Sequence, residues 1–273
     1  VLITAVALVA LAVWQSAQYH DLAQGEVDGL IASDLDHITQ GVYNLVRTEN
    51  EAVQQQVNDN LKVARHILAV SGKVRLSSEA IPWTAINQFT NKAVKIQLRK
   101  MLIGGRWLGA NADPAVPTAV VDEIAHLVGE TATIFQRMNT AGDMLRIATT
   151  VMDENGRRAI GTYIPAVNPD GTPNAVITAV LQGRSYNGRA YVVNAWHLTA
   201  YEPIKDQAGT LVGMLYVGVK QKNVESRIRQ AILQTTVGKT GYVYVLGGKG
   251  EDRGRYIISY KGARDGEDIW EST

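Results

Sequence analysis

The first third of the chain places apolar residues at helical spacing. From about Tyr19 to Val70 there is no proline, and polar side chains fill the positions between the apolar ones, as on a solvated helix face. The apolar positions recur in steps of three and four: Leu30, Ile31, Leu35, Ile38, Val42, Leu45, Val53, Val57, Leu61, Ala64 and Leu68. The pattern predicts a long stalk or spine helix within residues 19–82, about 75 Å long at 1.5 Å per residue.

After Ile81-Pro82-Trp83 the pattern changes to short β-rich runs separated by turn residues. The predicted strands are Val94–Leu102, Thr133–Arg137, Met144–Val151, Arg158–Ile164, Arg189–Pro203 and Leu211–Val219, and the predicted helices are Ala119–Val128 and Asn174–Leu181. Asp153–Gly156 and Asp206–Gly209 are turns between strands. Hairpin-linked strands with helices beside them predict an α+β fold, an antiparallel sheet covered by helices, over residues 83–220.

The last fifty residues again combine a helical pattern with β-rich runs, but with only one helix and two strands. A linking helix is predicted at Asn223–Thr236, followed by strands at Gly241–Leu246 and Arg255–Tyr260 with a glycine-rich turn between them. Two strands do not form a stable domain alone. We therefore interpret residues 221–273 as the linking helix and truncated start of a second module.

The chain opens with an apolar run, Val1–Val13, closed by Trp14. A membrane-spanning helix needs about 20 apolar residues, and tryptophan is typical of the membrane interface. Because the chain does not begin with methionine, we interpret residues 1–18 as the C-terminal part of a transmembrane anchor. The alternatives are the apolar region of a signal peptide and a buried helix.

Composition excludes several classes of function. The 27 basic and 26 acidic residues give a net charge of +1, so we expect no nucleic-acid partner. Cysteine is absent, which excludes disulfides, thiolate metal sites and c-type haem attachment. Asp34 with His37 and Glu123 with His126 have the spacing of metal ligands, but such pairs are common on helix surfaces. We expect no metal, no cofactor and no catalytic residue.

The segment from Gly188 to Pro203 mixes aromatic rings with polar tips. As a single strand it would carry Tyr191, Val193, Ala195, His197, Thr199 and Tyr201 on one face, and Ala190, Val192, Asn194, Trp196, Leu198 and Ala200 on the other. Apolar walls with a few hydrogen-bonding groups are what a small polar ligand requires. The alternative is that these aromatic rings pack at the edge of a core with their polar tips in water.

The segments GRAYVVNAWHLTAYEPIKD and GTLVGMLYVGVKQ, after an apolar start and a long helix, resemble the periplasmic double-Cache sensor domains of bacterial chemoreceptors. The later segment VGKTGYVYVLGGKGEDRGRYIISYKGARDGEDIW is similar to the start of a Cache-2 unit, which narrows the resemblance to the Cache-3/Cache-2 fusion type. The resemblance implies a membrane-distal PAS-like module at 83–220, a membrane-proximal module beginning in 221–273, and cytoplasmic signalling partners. It implies an inner-membrane protein whose sensing region is periplasmic or extracellular.

Amino-acid-sensing relatives place a carboxylate on the final strand of the distal module, but the run from Leu211 to Val219 contains none. Arginines instead suggest an anion, because a guanidinium in an apolar strand requires an acidic partner. We expect a small carboxylate such as acetate, bound by one or more of the arginines, with the aromatic residues and the histidine as walls and hydrogen-bond donors. The candidate ligand-binding residues are Arg146, Arg184, Arg189, Tyr191, Trp196, His197 and Tyr201. The alternatives are an internal ion pair for Arg146 and solvent exposure for Arg184 and Arg189.

The predicted function is therefore ligand sensing by a chemoreceptor, with a homodimer formed along the amphipathic helix. Histidine kinases and cyclic-di-GMP enzymes use similar sensors, so either could be the output instead. Two rival hypotheses of a different class are an anchored secreted hydrolase and a structural stalk without a ligand.

Overall fold

The computed structural model describes residues 2–270, and the side chains of residues 2–13 and of residue 251 are outside that description. The α-helices among the described residues are α1 (Leu2–Val70), α2 (Val121–Val128), α3 (Ala175–Leu181) and α4 (Gln221–Leu233). The strands are β1 (Val74–Asn87), β2 (Ala93–Ile103), β3 (Arg106–Trp107), β4 (Thr131–Arg137), β5 (Met144–Thr149), β6 (Thr162–Ile164), β7 (Tyr186–Val192), β8 (Ala195–Lys205), β9 (Leu211–Lys220), β10 (Thr236–Val237), β11 (Gly241–Tyr242), β12 (Val245–Leu246) and β13 (Tyr256–Ile258). The predicted α+β class is confirmed.

Helix α1 ends at Val70, so residues 71–82 are not part of the spine helix in which we placed them. The chain turns at Gly72, whose φ of 114° favours glycine and whose position leaves no room for a Cβ beside Gly104. Strand β1 then runs through Pro82, a residue that weakens strand predictions. Because β6 pairs with β1 only at Ile86 and Asn87, β1 pairs on one side alone at Pro82, where a missing N–H is tolerated.

Nine strands form the main sheet in the order β3-β2-β1-β6-β5-β4-β9-β8-β7. The pairings among them are antiparallel except for the short parallel contact of β1 with β6. The predicted strand Arg158–Ile164 is wrong over its first part, since only Thr162–Ile164 joins the sheet. Arg158 lies outside it because its backbone pairs only with Met152, in an isolated bridge, and its N–H donates to the Ala112 carbonyl oxygen.

The predicted single strand Arg189–Pro203 is a hairpin of β7 and β8. Its tip is a tight turn in which the Asn194 N–H donates to the Val192 carbonyl oxygen at 2.7 Å, with Val193 at a φ of 58°. Directly paired residues share a face, so Tyr191 lies on the face of Trp196 and not on that of His197. The predicted face assignment was wrong because it assumed an uninterrupted strand, whereas the two-residue turn resets the alternation of side chains between the two faces of the sheet.

The central strands carry a core on one face and a helix on the other. Phe135, Met144, Tyr201, Met214 and Tyr216 form one buried cluster with the apolar residues of α3. Glu202, the next residue after Tyr201 on β8, points to the opposite face and accepts hydrogen bonds from Arg65 of α1. The buried residues of this part of α1 are Val53, Val57, Leu61, Ala64 and Ile67, which recur in steps of three and four.

Contacts divide the chain into two compact units, one of which is Glu49–Arg227 and contains the main sheet. The other contains the described residues on either side of that range. In its C-terminal part β10 pairs with β11 and β12 with β13, and Asp265 accepts hydrogen bonds from Ser259 and Arg229.

The apolar run Val1–Val13, which we interpreted as part of an anchor, lies outside the residues whose side chains the structure describes. Among the residues it does describe, none of the helices combines the length and apolar character needed to span a bilayer.

Candidate functional site

A cavity of about 520 Å³ lies beside the β7–β8 hairpin. Five aromatic residues line it: Phe89, Tyr186, Tyr191, Trp196 and Tyr201. Rings at the rim contact one another, with centroid distances of 6.1 Å for Phe89–Tyr191 and 5.6 Å for Tyr191–Trp196. The volume and the apolar lining are typical of small-molecule sites.

Most polar side chains around the cavity already have partners. Asn174 caps helix α3 by accepting from two backbone N–H groups, and its amide nitrogen donates to Asn168. The Tyr186 hydroxyl donates to the Arg189 carbonyl oxygen at 2.9 Å. Asp170 accepts from the backbone and the hydroxyl of Thr172. These groups shape the cavity more than they offer free hydrogen-bonding capacity to a ligand.

Arg146 on β5 is fully buried, and its guanidinium is largely unpartnered. Nη1 donates to the Thr162 hydroxyl, and the guanidinium carbon lies 4.9 Å from the centroid of the Phe135 ring. Nε and Nη2, which form one edge of the guanidinium, have no hydrogen-bond partner, and within the described part of the chain Arg146 forms no ion pair. Burial lowers the pKa of Arg146 to about 10, which leaves it charged at neutral pH.

Tyr201 connects the cavity to Arg146. Its ring lines the cavity, its hydroxyl is buried without a partner, and burial raises its pKa well above the ordinary value. Whereas burial raises the pKa values of Tyr201 and Tyr216, the charge of Arg146 lowers both of them, so the three groups are close neighbours. Arg146 itself is absent from the cavity lining.

His197 is also buried in this region of the sheet. Burial lowers its pKa to about 4, so the ring is neutral at pH 7. Nδ1 lies 3.2 Å from the Ala195 carbonyl oxygen. Because a carbonyl only accepts, Nδ1 carries the proton and Nε2, which has no partner, is an acceptor.

The predicted site residues divide into three groups. Arg189, Tyr191, Trp196 and Tyr201 line the cavity, with the Arg189 guanidinium 4.1 Å from the centroid of the Trp196 ring. Arg146 and His197 lie in the buried layer next to Tyr201, outside the lining. Arg184 is exposed and donates to Gln182, so the structure does not bring it to the cavity.

Sequence reasoning missed Gln88 and Phe89, which follow β1, line the cavity and contact Tyr191 of the hairpin. Gln88 donates from Nε2 to the Tyr191 carbonyl oxygen at 3.1 Å. No local signal marks these two residues, since their position depends on pairing between segments about a hundred residues apart.

Metal ligation gains no support from the described residues, which contain no group of three or more histidine or acidic side chains able to hold an ion.

An aromatic cavity beside a central antiparallel sheet, with a long helix on the opposite face of that sheet, is an arrangement typical of ligand-binding domains. Residues 20–273 match the model of the Cache 3/Cache 2 fusion domain, and the chain belongs to that family of signalling and ligand-binding domains.

Solved structures give weaker likenesses. The chain is similar to the sensor domain of E. coli DcuS at 18% identity, covering 40% of this chain and 70% of that one, with a TM-score of 0.27. It is also similar to a candidate transcriptional regulator from Rhodococcus sp. RHA1 at 15% identity, covering 44% of this chain and 63% of that one, with a TM-score of 0.26. No curated protein matches the chain.

Proposed function

We propose that the unit Glu49–Arg227 binds a small organic anion, a short carboxylate of the acetate type, and that the chain is the extracytoplasmic sensing region of a membrane-anchored bacterial chemoreceptor. The observation that carries the proposal is the buried, unpartnered Nε–Nη2 edge of Arg146. Family membership supports the sensing role, and the site chemistry supports the class of ligand.

The buried charge of Arg146 favours an anionic ligand. An ion removed from water loses several kcal/mol of hydration unless an opposite charge or hydrogen bonds replace it. Arg146 has one hydrogen bond and no acidic partner in the described residues. A carboxylate fits the Nε–Nη2 edge with two parallel hydrogen bonds. It would therefore supply both the missing charge and the missing acceptors.

Tyr201 offers the anion a second hydrogen-bond donor and a path from the aromatic cavity to Arg146. Its unpartnered hydroxyl can donate to the same carboxylate, and Tyr201 is also one of the residues that line the cavity. In the proposal the ligand enters the aromatic cavity and the Tyr201 ring rotates to admit the carboxylate to Arg146. Arg189, exposed at the rim, increases the local concentration of anions.

Signal output would travel through α1. Glu202 follows Tyr201 on β8 and is bound by Arg65 of α1, so a movement of the strand displaces the helix. Helix shifts of about 1–2 Å are an ordinary switching unit. The N-terminal part of α1 exposes Leu30, Ile31 and Leu35, which we propose pack against a second copy in a homodimer.

A thermal-shift assay with sodium acetate, propionate, pyruvate and succinate tests the proposal. A ligand at one hundred times its dissociation constant adds about 2.7 kcal/mol to the free energy of unfolding. We expect at least one acid to stabilise the wild type, and Arg146→Met to abolish the effect. Arg184→Met, which removes an exposed arginine away from the cavity, should retain it. Stabilisation by none of the acids, or an unchanged response in Arg146→Met, would contradict the proposal.

A further inference from the structure

Gln88 carries a free acceptor in the cavity wall. Its side chain is more than nine-tenths buried, it lines the cavity, and its Oε1 atom is buried without a partner. The polar groups of Asn174 and Tyr186 in the same wall are occupied by hydrogen bonds within the protein. Gln88 therefore differs from these neighbours in offering an unused hydrogen-bonding atom.

The orientation of the Gln88 amide is fixed by its other end. Nε2 donates to the Tyr191 carbonyl oxygen, and a flipped amide would place two acceptor oxygens against each other. Oε1 is therefore the atom that remains, and an amide oxygen can only accept. The group that satisfies it must be a donor.

The cavity lining favours a neutral donor over an ammonium group. An ammonium group needs a carboxylate, and the acid among the residues that line the cavity is Asp170. One oxygen of Asp170 is already held by the backbone and hydroxyl of Thr172. Strand β9 contributes no acid. A hydroxyl group, which an amide oxygen binds well, fits the cavity better than an ammonium group.

We infer that the ligand class is a hydroxycarboxylate, whose carboxylate is bound by Arg146 and whose hydroxyl donates to Oε1 of Gln88. This inference rests on the proposed function and sharpens it from carboxylates in general to hydroxylated ones. The aromatic wall formed by Tyr191 and Trp196 contacts the remaining apolar part of the acid.

Matched acids that differ by one hydroxyl test the inference by isothermal titration calorimetry. The pairs are propionate with lactate, and 3-phenylpropionate with 3-phenyllactate, with alanine as the ammonium analogue of lactate. We expect the hydroxylated member to bind about tenfold tighter within at least one pair, because its partner leaves Oε1 unsatisfied. Alanine should bind no better than propionate.

Gln88→Met should remove this preference by weakening the hydroxy acid toward the affinity of its parent acid. Gln136→Met is the matched control, since Gln136 is equally buried and also donates to a backbone carbonyl, that of Arg99, but does not line the cavity. The control variant should keep the preference.

The outcomes separate the two proposals. Equal affinities within each pair that binds, or a preference that survives Gln88→Met, would overturn the hydroxycarboxylate inference and leave anion binding in place. Tighter binding of alanine than of lactate would also overturn it. If neither pair nor any acid of the thermal-shift set binds, the proposed function itself fails.

Discussion

Replacing Arg146 with methionine separates a ligand-binding role from a structural one. Burial lowers the pKa of this guanidinium from its ordinary value to about 10, which corresponds to about 3 kcal/mol by which folding disfavours its charged form. Both the folded and unfolded states are protonated below pH 10, so the full penalty is present at neutral pH. It disappears progressively as the pH rises above about 10.

Methionine removes that penalty and loses the hydrogen bond to Thr162, which is worth about 1.5–3 kcal/mol for a charged donor. The two effects nearly cancel. We therefore expect the free energy of unfolding of ligand-free Arg146→Met to lie within about 2 kcal/mol of the wild-type value. In the presence of a stabilising acid only the wild type gains the further 2.7 kcal/mol or so.

Arg158→Met is the matched control, because Arg158 is also buried but has partners. Its guanidinium donates to both oxygens of Asp122, at 2.6 and 2.9 Å, and to the Thr149 carbonyl oxygen. Removing it leaves a carboxylate and several carbonyls unpaired, at a cost of about 3–5 kcal/mol. No acid should restore this loss.

Urea unfolding at pH 7, followed by circular dichroism with and without the acid, measures both variants. If ligand-free Arg146→Met loses as much stability as Arg158→Met, then Arg146 is held by the protein itself. The inference from an unpartnered charge to an anionic ligand would then be wrong.

Three further predictions concern other residues. Because burial lowers the pKa of His197 to about 4, the unfolded state binds more protons than the folded state between pH 6.5 and 4. The free energy of unfolding of the wild type should therefore fall by up to about 3 kcal/mol as the pH is lowered over that range. In urea titrations His197→Gln should flatten this pH dependence, and an unchanged slope would assign it to other groups. Gly213→Ala should lower the free energy of unfolding by more than about 3 kcal/mol or prevent folding, because its Cβ would lie 2.0 Å from a carbonyl oxygen of β4. Gly41→Ala is the control: it lies in open space on α1 and should leave the melting temperature unchanged or slightly raised. Glu202→Gln should cost about 1–2 kcal/mol, and a double-mutant cycle with Arg65→Met should show coupling between the two residues; independent effects would argue against the ion pair.

The elements that sequence predicted well are those with local signals. The 3.6-residue periodicity of α1 extends over many turns, and strands such as β4 and β9 are apolar runs bounded by turns. The β7–β8 turn was missed because Val193, a β-branched residue, adopts a φ that such residues rarely take. Strand β1 was missed because Pro82 normally argues against a strand, and only its one-sided pairing explains its presence.

The site residues, like the elements of the fold, could be predicted only where the sequence carries a local signal. Arg146 could be selected from sequence, since an arginine inside an apolar strand requires an explanation wherever the strand lies. Gln88 could not, because its role comes from a hydrogen bond to Tyr191, 103 residues away. Arg184 was selected for its proximity in sequence to the aromatic segment, but it falls in the exposed connection between α3 and β7. Chemical type was therefore a better guide than closeness along the chain.

In the proposed mechanism, strand β8 links ligand binding to signalling. Alternation along the strand places Tyr201 toward the cavity and Glu202 toward α1. A rotation of the Tyr201 ring that admits an anion would have to be accommodated by the backbone that also carries Glu202, and the hydrogen bonds from Arg65 would transfer that adjustment to the helix. A ligand can shift this equilibrium only by the difference in its affinity for the two positions of Tyr201. Variants of Glu202 should therefore leave ligand affinity nearly unchanged while uncoupling α1 from binding, whereas variants of Tyr201 should change both.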